Sequence, residues 1–132
     1  MMMKQAEIKA LKNIFKSYPE LKLAYLFGSR ANEEQGPLGD YDFAVYFDLK
    51  DNIMMSDIRF KLLAQLSLEL KTDNIDLVIL NLTESTELKY NIIKDGRIIY
   101  EQEPYKIAFE PMVLNEYFDF KALLSRHGLT RA

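Results

Sequence analysis

The chain contains no cysteine, which removes disulfides, cysteine-based zinc sites and thiol nucleophiles from consideration. It has one histidine, His127, in Ser125-Arg126-His127-Gly128. With no second histidine or cysteine beside it, no recognisable metal cluster forms there. His127 reads as a solvated helix end, where a cation suits the helix dipole, with a general base as the alternative. No apolar run approaches the roughly 20 residues that span a bilayer. The start, Met1-Met2-Met3-Lys4-Gln5, lacks the apolar centre of a signal peptide. The expectation is a soluble cytoplasmic protein without membrane contact. A basic excess is missing as well: the formal net charge is -3 and the pI near 5.2, which argues against an extensive nucleic-acid surface while leaving a small local contact open. The runs Lys4 to Lys16 and Arg126 to Arg131 are thin and read as solvated faces. Repeats and low-complexity segments are absent.

What is there is a globular balance, 48% apolar and 28% charged over 132 residues, which predicts one domain with a proper core. Ile8, Leu11, Ile14 and Phe15 recur at helical spacing over residues 4–17, ahead of Pro19. Residues 21–27 and 41–47 read as strands, the second from its aromatic and β-branched content. Residues 29–36 read as a short helix or turn closing at Gly36-Pro37. Ile58, Leu62, Leu63, Leu66 and Leu70 share one face of a helix over 56–71. Residues 75–80 are apolar on both parities, which predicts a central, buried strand. A helix over 84–94, the turn Asp95-Gly96, a strand from Arg97 to Glu101 and a last helix beginning around Pro104 complete the order. The fold class is α/β, a small mixed β-sheet flanked by helices. Residues 1–103 are expected to form the core and 104–132 a helical tail.

The chemistry lies in Gly28-Ser29, a gap of ten residues, and Asp40-Tyr41-Asp42, entered by Leu23-Ala24-Tyr25-Leu26-Phe27. A Gly-Ser turn at a strand end can bring backbone N–H groups and a hydroxyl against a phosphate, at the sheet edge where ligand crevices form. Asp40 and Asp42, two apart on an extended run, send their carboxylates to the same side. Asp76 stands in the apolar stretch 75–80, where an unpaired buried carboxylate costs several kcal/mol in principle. If that strand lies beside 41–47, Asp40, Asp42 and Asp76 converge on one face. Clustered carboxylates repel unless a cation neutralises them, and an oxygen-only set favours Mg²⁺ or Mn²⁺ over zinc. Read separately, Asp40 and Asp42 are turn or cap residues and Asp76 pairs with a Lys or Arg; the conjunction of all the parts favours a metal site.

The words Phe27-Gly28-Ser29-Arg30-Ala31 and Asp40-Tyr41-Asp42-Phe43-Ala44-Val45, followed by Ile75-Asp76-Leu77-Val78, resemble the signature of the minimal nucleotidyltransferase (MNT) domains of the polymerase-β superfamily. The resemblance covers roughly residues 20–100. In size and layout the chain is most similar to the MNT antitoxins encoded beside HEPN ribonuclease toxins. The resemblance implies a polymerase-β-like nucleotidyltransferase fold. It implies that Gly28 and Ser29 hold the β- and γ-phosphates of ATP, and that Asp40 and Asp42 coordinate two Mg²⁺ ions. Asp76 would ligate the catalytic metal and orient or deprotonate the attacking hydroxyl, with pyrophosphate departing. It implies further that AMP passes to a tyrosine of a cognate HEPN toxin. Departures are Gly39 where a serine often stands, and Asn32-Glu33-Glu34 where a glycine often follows; Glu33 and Glu34 are expected on the solvent side.

Arg30 either reaches a phosphate or pairs with Glu33 or Glu34. Tyr25, Tyr41 and Tyr46 either stack a base or serve the strands. Phe109, Val113, Leu114, Tyr117, Phe118, Phe120 and Leu124 form an aromatic stripe interrupted by Pro111, which either packs on the sheet or anchors a partner. Two other functions stay open: an antitoxin that neutralises by binding alone, and an enzyme modifying a small molecule or an RNA 3′ end.

Overall fold

The computed structural model describes residues 4–28 and 41–128. Helix α1 (Gln5–Lys16) buries Leu11 and Phe15, each worth about 2 kcal/mol of transfer free energy. It leads into β1 (Leu21–Phe27), and β2 (Tyr41–Phe47) runs back beside it. Helix α2 (Asn52–Leu70) begins a turn earlier than its apolar spacing predicts. The Asp51 carboxylate explains this, accepting the N–H groups of Ile53 and Met54 at 3.0 and 3.1 Å and so capping free donors of the first turn. Strand β3 (Ile75–Ile79), helix α3 (Thr86–Asp95), strand β4 (Arg97–Glu101) and helix α4 (Tyr105–Arg126) follow.

The sheet order is β3-β2-β1-β4. The pairs β1/β2 and β1/β4 are antiparallel, and β2/β3 is parallel, the crossover being made by α2 as parallel strands require. Helices cover both faces. On one face Leu11, Phe15, Phe43, Val45, Leu62, Leu66 and Leu77 form a continuous core; on the other Leu23, Tyr25, Ala44, Leu80, Ile92, Phe109 and Val113 form a second. Tyr25 donates from its hydroxyl to Glu110 Oε2 at 2.6 Å, fixing α4 to β1. The rings of Tyr90 and Tyr117 stack at 3.8 Å and join α3 to α4.

Two expectations are corrected here. The stretch 75–80 is not a central strand: β3 is an edge strand, and Leu80 already belongs to a 3-10 turn over Leu80–Leu82. Its two apolar parities arise because helices cover both faces of the sheet, and that cover extends to the edge strand as well. Asp76, expected to be buried, is exposed, because it sits at the start of β3 where the cover ends. Pro111, in turn, lies inside a single continuous α4. Among the described residues no helix is long and apolar enough to cross a membrane.

Candidate active site

Strand β1 ends at Phe27, which pairs across the sheet with Asp42, and Asp42 pairs in parallel register with Asp76. Neighbouring residues in register send their side chains to the same face of a sheet. That face is the one on which Ala44 and Val78, two residues further along each strand, pack with Tyr25 and Phe109. Asp42 and Asp76 therefore stand side by side at the sheet end, beyond the apolar layer of the α3/α4 side. Asp42 is half-buried and Asp76 exposed.

Gly28 completes the corner. Its φ of +75° is one that side-chain-bearing residues rarely adopt, and a Cβ built on it would lie 2.5 Å from Asp42 Oδ2. The backbone conformation favours glycine, and the Asp42 carboxylate lies across the position a Cβ would take. The chain thus leaves β1 with its backbone against Asp42.

The sequence-predicted site is placed in part. Gly28, Asp42 and Asp76 come together; Ser29, Arg30 and Asp40, like Asn32, Glu33, Glu34 and Gly39, lie outside the described residues. Among the described residues no group of three or more His, Cys, Asp or Glu could hold a metal. The two carboxylates in register are the kind of hard oxygen donor that suits Mg²⁺. The tyrosines take the structural role. Tyr25 is buried and bonded to Glu110, Tyr41 is 8% exposed with its ring 6.2 Å from Phe43, and Tyr46 packs at 4.5 Å from Phe109. His127 caps the exposed end of α4.

Sequence reasoning missed the residues that hold β3 in place. Asn74 gives its carbonyl to the Tyr41 N–H at 3.1 Å. Alternate residues of a strand turn their carbonyls to opposite sides, so those of Leu77 and Ile79 point away from β2. Arg59 Nε donates to Leu77 O at 2.7 Å, and Thr83 Oγ1 to Ile79 O at 2.9 Å. Asn81 accepts the Phe47 N–H at 2.9 Å and donates to the Phe47 carbonyl at 2.8 Å, extending the β2 ladder with a side chain. Isolated polar residues carry no spacing signal that would have found these.

Comparison with known proteins agrees with this architecture. The family described as "Polymerase beta, Nucleotidyltransferase" matches residues 9–105, and the chain belongs to that nucleotidyltransferase family. It is 30% identical over 105 residues to a protein adenylyltransferase MntA of Aphanizomenon flos-aquae (strain 2012/KM1/D3), covering 74% of this chain and 69% of the relative. Among solved structures it is similar to a chain of a toxin–antitoxin crystal structure with AMP-PNP, at TM-score 0.71 and 27% identity over 94% of each chain. It is also similar to a chain in the complex of a tri-AMPylated Shewanella oneidensis HEPN toxin with its MNT antitoxin, at TM-score 0.70 and 26% identity over 94% of each chain.

Proposed function

We propose that this chain is an antitoxin that transfers AMP from ATP to a tyrosine hydroxyl of a cognate HEPN ribonuclease toxin, in the cytoplasm. The observation that carries the reading is the corner at the sheet end: Asp42 and Asp76 in register, with Gly28 folded against Asp42. The relatives' names, adenylyltransferase and MNT antitoxin of an AMPylated toxin, support the acceptor.

The acceptor oxygen attacks the α-phosphorus in line, the bond from that phosphorus to the bridging oxygen breaks, and pyrophosphate leaves. The hydroxyl proton passes to Asp76 or to water beside it. Gly28 and Ser29 hold the triphosphate, and Arg30 offers it a charge-assisted hydrogen bond. Asp40, Asp42 and Asp76 would hold two Mg²⁺ ions, which when bound stabilise the attacking and leaving oxygens. The test is labelled ATP incubated with the purified partner. Label is expected on the partner's tyrosine with wild type and not with Asp40→Asn or Asp42→Asn. Undiminished transfer by the double variant, or none by wild type, would sink the reading.

A second reading, neutralisation by binding, is favoured by the outer half of α4. Phe109 and Val113, in the first half of the helix, are buried, whereas Phe118 is 57% exposed and Phe120 37%. The stripe divides along the helix, the near part in the core and the far part on the surface. In this reading residues 104–132 are the partner-binding tail. Neutralisation that survives loss of Asp40 and Asp42 but fails on truncation near Pro104 would favour it over the first.

A further inference from the structure

A basic feature of this acidic chain lies away from Asp42 and Asp76. Lys9, Lys12 and Lys16 share one exposed face of α1 and line a cleft of about 410 Å³ whose floor is Ile98, Tyr100 and Glu101 of β4. Among the described residues none of the three lysines has an ion-pair partner. The cleft holds one acid, Glu101, and stays net basic. β4 is also an edge strand. Gln102 gives its N–H inward to Lys22 O, so by alternation Glu101 turns its own N–H and C=O outward. Among the described residues nothing pairs with that outer side.

We infer that the cleft between α1 and β4 docks an extended acidic segment of a protein partner, added as a fifth strand on β4. An unpaired ladder edge is matched by polypeptide backbone, which a nucleic acid cannot supply. The lysines select the guest's side chains. Lys9 and Lys16 are about 10.5 Å apart along a helix, and same-side residues of a strand recur about every 6.7 Å. Two or three Asp or Glu at alternate positions therefore match the lysine row, with the intervening apolar side chains turned to the other face. The inference does not depend on nucleotidyl transfer.

The probe is a fluorescein-labelled peptide of about nine residues with Glu and Val alternating, titrated into the full chain and followed by anisotropy and by backbone amide shifts. Binding is expected, with shifts concentrated in residues 97–101. The variant Lys9→Glu/Lys12→Glu/Lys16→Glu, whose sites are exposed, is expected to bind about tenfold more weakly or worse. The same peptide N-methylated on the backbone groups that face β4 is expected to lose binding. Unchanged affinity in the triple variant, or equal affinity of the N-methylated peptide, overturns the proposal. So does an oligouridylate that binds the lysine row while the peptide does not, which would assign the cleft to nucleic acid.

Discussion

The two edges of the sheet are treated in opposite ways. On β3 two outward carbonyls are occupied, Leu77 by Arg59 and Ile79 by Thr83, and Asn81 closes the neighbouring end of β2. On β4 the outer side is left open among the described residues, beside three lysines. An open edge is normally a hazard that charged side chains blunt, and α1 supplies such charges to β4. The edge carrying Asp76 is instead tied down bond by bond. A carboxylate that must meet Asp42 at a fixed separation needs a strand that cannot slip, because a one-residue slip sends every side chain to the other face.

The largest expected effect is on the chemistry that the fixed edge would serve. Asp42→Asn and Asp76→Asn are each expected to lower nucleotidyl transfer about 10²–10³-fold or more, measured as label reaching the partner protein. Asp76→Asn also relieves repulsion between two neighbouring carboxylates, so its thermal midpoint should hold or rise. Activity lost together with stability would point to a folding role. Full activity in Asp76→Asn would remove the chemical reason for tying β3.

Asn81→Ala tests the tie itself. It leaves the N–H and C=O of Phe47 without their side-chain partner in a half-buried position, at a cost of about 2 kcal/mol. Urea unfolding should show this as a lower midpoint with unchanged slope. A loss below experimental error would mean that water replaces Asn81 freely and that the β3 side is no more fixed than β4.

The contrast between the edges also marks what could be read from the chain. The strand limits 21–27 and 41–47 follow from apolar and β-branched runs, and Gly28 from the turn that ends the first. The pairing of Asp42 with Asp76 was legible only as a condition, that the two strands be neighbours. Strand order was not legible, since 75–80 reads the same whether central or at the edge, once helices cover both faces. The inferred burial of Asp76 failed because it stands at the start of β3, where the helical cover ends, so register and Gly28, rather than a buried charge, support a metal site there. Arg59 and Asn81 were invisible because a hydrogen bond across the fold leaves no period in the sequence.

On the β4 side the corresponding anchor is Tyr25, which pairs with Ile98 and donates to Glu110. Burial, then the hydrogen bond and negative charge of Glu110, push its hydroxyl pKa well above the usual tyrosine range. The folded state holds this proton more tightly than the unfolded chain. The resulting stability is complete below pH about 10 and is lost as pH rises above that value toward the raised folded pKa. Tyr25→Phe is expected to cost about 1–1.5 kcal/mol at neutral pH and to flatten the alkaline loss. An equally steep loss in the variant would assign that slope to other groups, such as Tyr18 and Tyr105, whose pKa values are also raised.

The smallest effect belongs to Arg59, and it separates fixing a strand from merely covering it. The Arg59 Nε–H supplies one directed hydrogen bond to Leu77 O from a half-buried side chain on α2. Its loss in Arg59→Ala is expected to cost about 1 kcal/mol. Lysine keeps the charge but not a planar N–H at that position, so Arg59→Lys should lose nearly as much. If coverage by charge were all that β3 needs, lysine would restore it, as lysines suffice beside β4. Amide exchange in residues 75–79 should quicken in both variants while residues 97–101 stay unchanged. Concentration-dependent association should appear only in Arg59→Ala, where the edge has lost both the bond and the charge. Wild-type exchange in Arg59→Lys would show that the two edges are protected by the same means.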